Sequence, residues 1–243
     1  MPATPPPRRS SGRPTGGAAV TREQIVDAAL AQLDEGGLGS VSMREIAARL
    51  GVYPASVQWH VRSRDDLLAA VAARVLADVA PPLGRRRWQA WITELMRRCR
   101  RQVRQHPHAA QLLTTQLVSN ASLPLSLVEA LLTTLEGAGL RDARLIEAYN
   151  TVIAAMLGFV TMEFAALPPE PARWAQRLKS HVESVRPQEH PVVARSLPHM
   201  ANRAFILRWE NGVTAPLEAS FERHVAIVVA GLEAFVNEAA AAN

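Results

Sequence analysis

The chain is 243 residues long, 48% apolar and 20% charged, a balance that suits one large folded domain or two modest ones and excludes a disordered chain. The lack of ~18 consecutive apolar residues and of a short apolar leader points to the cytoplasm, and a single cysteine, Cys99, excludes an internal disulfide framework or a cysteine-built metal site. Net charge is +5, and residues 1–64 hold eight Arg against five acids, the bias expected of a segment that meets a polyanion.

Residues 1–19 contain five Pro, three Gly and three Arg and read as a disordered basic arm. From Thr21 onward the helical period dominates. Thr21 to Gln24 form a capping box, with Ile25, Ala28, Ala29 and Leu33 on one face and Gly36-Gly37 as the stop. Ser42 to Glu45 read as a second capping box, opening a short helix through Ile46, Ala47 and Leu50. Gly51 closes that helix, and Pro54 suits the first turn of the next. Ser63 opens a fourth helix, which Pro81-Pro82 closes. Further helices are expected at about 86–105, 108–118, 123–137, 142–166, 171–184 and 215–240, with 186–213 as loop around one short helix. The expected class is all-α, with an N-terminal helical domain at 20–66 and a C-terminal helical bundle at 67–243.

Three short-range constraints define the helix-turn-helix. Ala47 is small where two helices cross, Gly51 sits where the turn needs a positive φ, and Val57 is an apolar plug from the following helix. With Val57 inward, a step of 100° per residue puts Pro54 and Val61 on its side. Ala55 and Trp59 then point away, flanked by Ser56 and Gln58. A solvated helix would carry Glu and Lys there; this one carries small, hydroxyl, amide and aromatic groups that fit a major groove. Ser56, His60 and Arg64 suit phosphate oxygens, and Arg44 reaches a base edge or phosphate from the helix before. The competing reading is a plain three-helix core with Trp59 packed inside.

Met43 to Val52, followed by Ser56 to Leu68, resembles the DNA-binding domain of TetR-family regulators over residues 21–68. That resemblance implies a repressor in which Arg44, Ala55, Ser56 and Trp59 lie at or beside base-contacting positions. It places His60 and Arg64 on the backbone. The full candidate DNA-binding set is Arg44, Tyr53, Pro54, Ala55, Ser56, Gln58, Trp59, His60 and Arg64. Two residues depart from the family pattern: Gln58 stands where Tyr is usual and Arg64 where Lys is usual. An Arg still holds phosphate, whereas an amide pairs bidentately with adenine, so Gln58 changes what the helix reads.

The remainder resembles the regulatory domain of the tetracycline-repressor subgroup in scattered segments: Arg87 to Ala90 with Trp91, His106 to Ala110, and Phe221 to His224 with Gly231 to Glu233. The resemblance implies a homodimer built from the helices at 142–166 and 215–240 and an unidentified small-molecule inducer. Phe221, Val225, Val228, Leu232 and Phe235 form a stripe that serves either a partner or the internal core. Candidate inducer contacts are Trp91, Cys99, Leu113, Gln116, Tyr149, Asn150 and Met156, with Leu95, Leu117, Val152, Ile153 and Phe159 around them. Leu113 and Ala80 stand where tetracycline repressors place a metal-holding and a drug-binding His, which argues against a tetracycline–magnesium inducer. The Arg run of the fifth helix reads as a solvated face, or less simply as a site for an acidic ligand or a second nucleic-acid surface. No metal, cofactor or catalytic constellation is expected. Two rival readings stay open: a helical ligand-binding or interaction module that no longer binds an operator, and a small helical enzyme.

Overall fold

The computed structural model describes residues 20–84, 86–119 and 124–241, without the side chains of residues 116–119. The arm at 1–19 and the side chains of Gln116 and Leu117 therefore lie outside the described residues. Among the described residues every regular element is helical. The head comprises α1 (Arg22–Gly36), α2 (Met43–Arg49), α3 (Pro54–His60) and α4 (Arg64–Leu76). The body comprises α5 (Trp88–Gln105), α6 (Ala109–Ser119), α7 (Leu125–Gly137), α8 (Asp142–Glu163), α9 (Pro171–Glu183), α10 (Pro191–Met200) and α11 (Glu218–Ala241).

Thr21 forms the expected capping box: its Oγ1 accepts the Gln24 N–H at 3.2 Å, and Gln24 Oε1 accepts the Thr21 N–H at 2.9 Å. Gly37 ends α1 at φ +73°, a conformation that disfavours any side chain. The box expected at Ser42 does not form. Gln32 reaches across from α1 instead, its Oε1 accepting the Ser42 N–H at 3.1 Å, so a tertiary contact replaces the local cap. Ser63 does cap α4, accepting the Asp66 N–H at 3.0 Å. This helix stops at Leu76, short of Pro81. The Ala77 and Val79 N–H groups close on Arg74 O and Leu76 O, a tight turn that buries Val79.

In the body, α5 packs against α7, α8 and α11, while α6 lies between α8 and α4 and so joins body to head. Neither α9 nor α10 contributes a buried side chain. The segment 186–213 is α10 plus a short 3-10 turn at Phe205–Leu207, as its prolines imply. On α11 the stripe of Phe221, Val225 and Leu232 is buried within the chain's own core. A face turned about halfway round the helix is bare, with Ile227 63% exposed beside Ala230 and Gly231. Both α8 and α11 are long and apolar enough to cross a membrane by length and composition, which a search for unbroken apolar runs misses. Here α8 packs on α5, α6 and α7, and α11 on α5 and α8.

Candidate nucleic-acid interface and its control body

The turn between α2 and α3 closes through backbone hydrogen bonds from Gly51 N–H to Ala48 O and from Val52 N–H to Ala47 O, at 3.2 and 3.0 Å. Gly51 takes the required positive φ of +65°. Ile46, Ala47, Val57 and Val61 are buried where α2 and α3 meet each other and α2 meets α1. With Val57 fixed inward, Trp59 is 81% exposed and Tyr53, which precedes α3, is 79% exposed. Ala55 and Gln58 are exposed beside them, while Ser56 and His60 are half-buried. Pro54, expected on the inward side, is exposed, because the first residue of a short helix projects past the core it leads into. The His60 ring stands edge-on to Trp59 with centroids 4.7 Å apart, steadying the indole without covering it.

Charge is distributed unevenly around this face. Arg22, Arg49 and Arg74 are paired with Asp66, Glu35 and Asp27 at 3.4, 2.6 and 2.9 Å. Arg44 and Arg62 are exposed with no carboxylate in ion-pair range among the described residues. Arg64 is differently engaged. Its Nη2 donates to Leu38 O at 2.6 Å and its Nε to Val41 O at 3.4 Å, so it fastens α4 to the loop before α2. Its remaining N–H groups alone are free for a phosphate.

The residues expected to line an inducer cavity divide into three sets. Trp91, Leu95, Cys99, Leu113, Val152, Met156 and Phe159 are buried core. Burial pushes the Cys99 thiol up to about 12. Tyr149 is half-buried, with desolvation raising its hydroxyl above the ordinary value. Asn150 is exposed on the outer face of α8 and does not join the others.

Within the basic run of α5, Arg97, Arg101 and Arg104 are exposed as expected, but Arg100 leaves the solvated face. Arg100 is 6% exposed and forks onto Glu163, itself 0% exposed, with Nε–Oε2 and Nη2–Oε1 distances of 2.7 and 2.8 Å. Its Nη1 reaches Glu218 at 2.6 Å, and its guanidinium lies 4.6 Å from the centroid of the Phe221 ring. Burial opposes the charge on Arg100, but the two carboxylates outweigh it and hold the guanidinium firmly protonated. Glu163 Oε1 also accepts the Leu217 N–H at 2.7 Å, so one buried carboxylate ties α5, α8 and the start of α11 together. The signal lay in the period: Arg100 falls on the stripe of Trp91, Ile92, Leu95, Met96, Cys99 and Val103.

Among the described residues one polar contact joins head to body and two hold the strap that follows α4. His106 Nδ1 lies 2.8 Å from Asp34 Oδ2, Trp91 Nε1 donates to Pro81 O at 3.0 Å, and Arg98 Nη1 reaches Ala80 O at 3.5 Å. The segment between α5 and α6 is thereby tied to α1, and α5 to the strap that follows α4.

Comparison with known proteins agrees with this geometry. An HTH-type transcriptional regulator of Saccharopolyspora erythraea is 29% identical over 180 residues, 74% of this chain and 75% of that protein. The Streptomyces coelicolor TetR family protein ActR, in complex with actinorhodin, superposes with a TM-score of 0.69 at 26% identity, covering 90% of this chain and 99% of that one. BioQ bound to its double-stranded DNA operator superposes with a TM-score of 0.53 at 29% identity, covering 65% of this chain and 94% of that one. The model of the tetR family of bacterial regulatory proteins matches residues 25–71, and that of the tetracyclin repressor-like C-terminal domain matches residues 80–236. A helix-turn-helix with a bare outward face, covered by the first of these models and joined to a body that the second covers, makes this chain a member of the TetR family of bacterial regulatory proteins.

Proposed function

We propose that the chain is a homodimeric transcriptional repressor that reads a palindromic operator with α3 and releases it when a small molecule occupies the body. The observation that carries this reading is the α3 face. An indole that the fold leaves uncovered shares a helix with an amide, a hydroxyl and an imidazole and with no acid, and Arg44 and Arg62 on the flanking segments have no carboxylate in ion-pair range among the described residues. An exposed aromatic group brings no folding benefit, whereas a groove would bury it against sugar or a thymine methyl. In this reading Arg44, Tyr53, Pro54, Ala55, Ser56, Gln58 and Trp59 face the bases, and His60 and Arg64 face the backbone. The head ends within α4, which packs on both α1 and α6 and carries the signal between them. Acting on DNA, the protein works in the cytoplasm.

One short recognition helix reads too few base pairs for operator affinity, so a second head about one helical turn away (~34–36 Å) is needed. The bare faces of α8 and α11 supply the contact. Ala154, Gly158 and Met162 on α8, with Ile227, Ala230 and Gly231 on α11, form apolar, small-residue surfaces that allow close helix approach. The ActR complex with actinorhodin supports a small-molecule effector, and the BioQ–operator complex supports the docking mode. The test is titration of a duplex selected by the protein at several salt concentrations. Affinity that falls as salt rises, and falls again for Trp59→Ala, supports the reading. Equal affinity for random duplex favours the alternative of a ligand-binding module without an operator.

A further inference from the structure

We propose that a cavity beneath the strap joining α4 to α5 binds a planar aromatic acid that also carries a hydroxyl or ring N–H, and that this is where the effector of the regulator reading above, on which the proposal rests, makes contact. The cavity measures about 460 Å³, inside the range of roughly 300–1,000 Å³ typical of small-molecule sites. Its wall is formed by the strap at Leu83 and Gly84, the first turn of α5 and the last turns of α7.

Its lining dictates the guest. The half-buried Trp88 offers indole surface to a flat ring, and the buried Trp91 backs the cavity behind it. Arg86 and Arg87 line it without a carboxylate in ion-pair range among the described residues, and an exposed guanidinium pair favours a carboxylate and repels a cation. Gln89 supplies the third element. Its Nε2 is held by Glu233 Oε1 at 2.9 Å, which leaves its Oε1 buried as an acceptor with no donor. A buried acceptor of this kind is completed by an O–H or N–H of the guest. The interior cluster around Cys99, Leu113 and Met156 is fully buried apolar core and offers no such set.

Position links this cavity to the head. The strap that forms one wall is gripped by α5 through Trp91 Nε1–Pro81 O and Arg98–Ala80 O. Those contacts fix where α4 leaves the body. A guest wedged between strap and α7 binds one strap position better than another, and that difference in affinity is what shifts the two heads.

Isothermal titration of the full chain with 6-hydroxy-2-naphthoate, 4-hydroxybenzoate and the neutral 6-hydroxy-2-naphthamide tests this. Saturable binding of at least one acid at one per chain is expected, weaker by about tenfold or more for the amide and for Arg87→Ala. Trp88→Ala is expected to weaken it comparably, and Arg104→Ala, an exposed arginine of α5 outside the lining, to leave it unchanged. Arg87 is exposed, so its variant keeps the wild-type thermal midpoint. Acids that fail to bind, or that bind Arg87→Ala and Trp88→Ala as well as wild type, overturn the site; with operator binding intact, the regulator reading still stands. Acids that bind in an Arg87-dependent way to a chain that binds no operator support the site and strike the regulator reading instead.

Discussion

Trp59 is the residue at which stability and function separate most cleanly. It touches the His60 ring and little else, so its removal leaves the core intact. Trp59→Ala is expected to hold thermal stability within ~0.5 kcal/mol of wild type while weakening operator binding by roughly 1–3 kcal/mol; melting and fluorescence anisotropy measure the two. Gln58→Ala is expected to relax a preference for adenine at one base pair per half-site, read by binding to duplexes permuted at each position. The outward set was legible because a helix with one fixed inward plug has its other faces fixed by geometry. Arg64 was not legible in the same way. Its partners, Leu38 O and Val41 O, lie 26 and 23 residues away, and no local pattern announces a guanidinium spent on backbone carbonyls. Arg64→Ala is therefore expected to loosen the loop before α2 as well as to remove the proposed phosphate contact, which makes it a poorer probe of DNA contact than Arg44→Ala.

At the scale of the element, α5 shows how charge is used inside a helical body. Cutting the Arg100–Glu163 pair leaves a buried ion alone, so Arg100→Met is expected to cost about 3–5 kcal/mol in denaturant unfolding. Arg100→Met combined with Glu163→Met is expected to cost less than the single change, because no ion is then stranded. The exposed ladder behaves differently. The hydrogen bond from Arg98 holds the Glu94 carboxyl below the ordinary carboxylate range, and that from Arg97 does the same for Glu222. Both titrate lower folded than unfolded, so their stabilisation is complete above the unfolded value and fades as pH falls through the folded one. Unfolding of Glu94→Gln with Glu222→Gln is accordingly less sensitive to pH below about 4.3 than that of wild type. Helix periods placed every long element, and the stop signals Gly37 and Gly51 fell where required. The same periods did not tell which stripe of α11 faces inward. Phe221, Val225 and Leu232 are core, while the smaller residues opposite are bare, and bulk alone separates the two only once α5 and α8 are in place. Ser42 failed as a cap for a related reason: Gln32, ten residues earlier, satisfies its N–H from another helix.

At the scale of the molecule, the proposed operator binding needs two heads held by the bare faces of α8 and α11. Gly231 is exposed with open space around its Cα, so Gly231→Arg fits the single chain while planting a charge on the pairing face. It is expected to sediment as a folded monomer and to lose operator affinity. The measurement that bears most directly on the central claim is selection from a random duplex pool with the purified chain, followed by titration of the winning sequence. The account predicts an inverted repeat with half-site centres about one helical turn apart (~34–36 Å), bound by two chains and lost for Trp59→Ala. A pool that stays random, or a winner that Trp59→Ala binds as tightly as the parent chain, contradicts it.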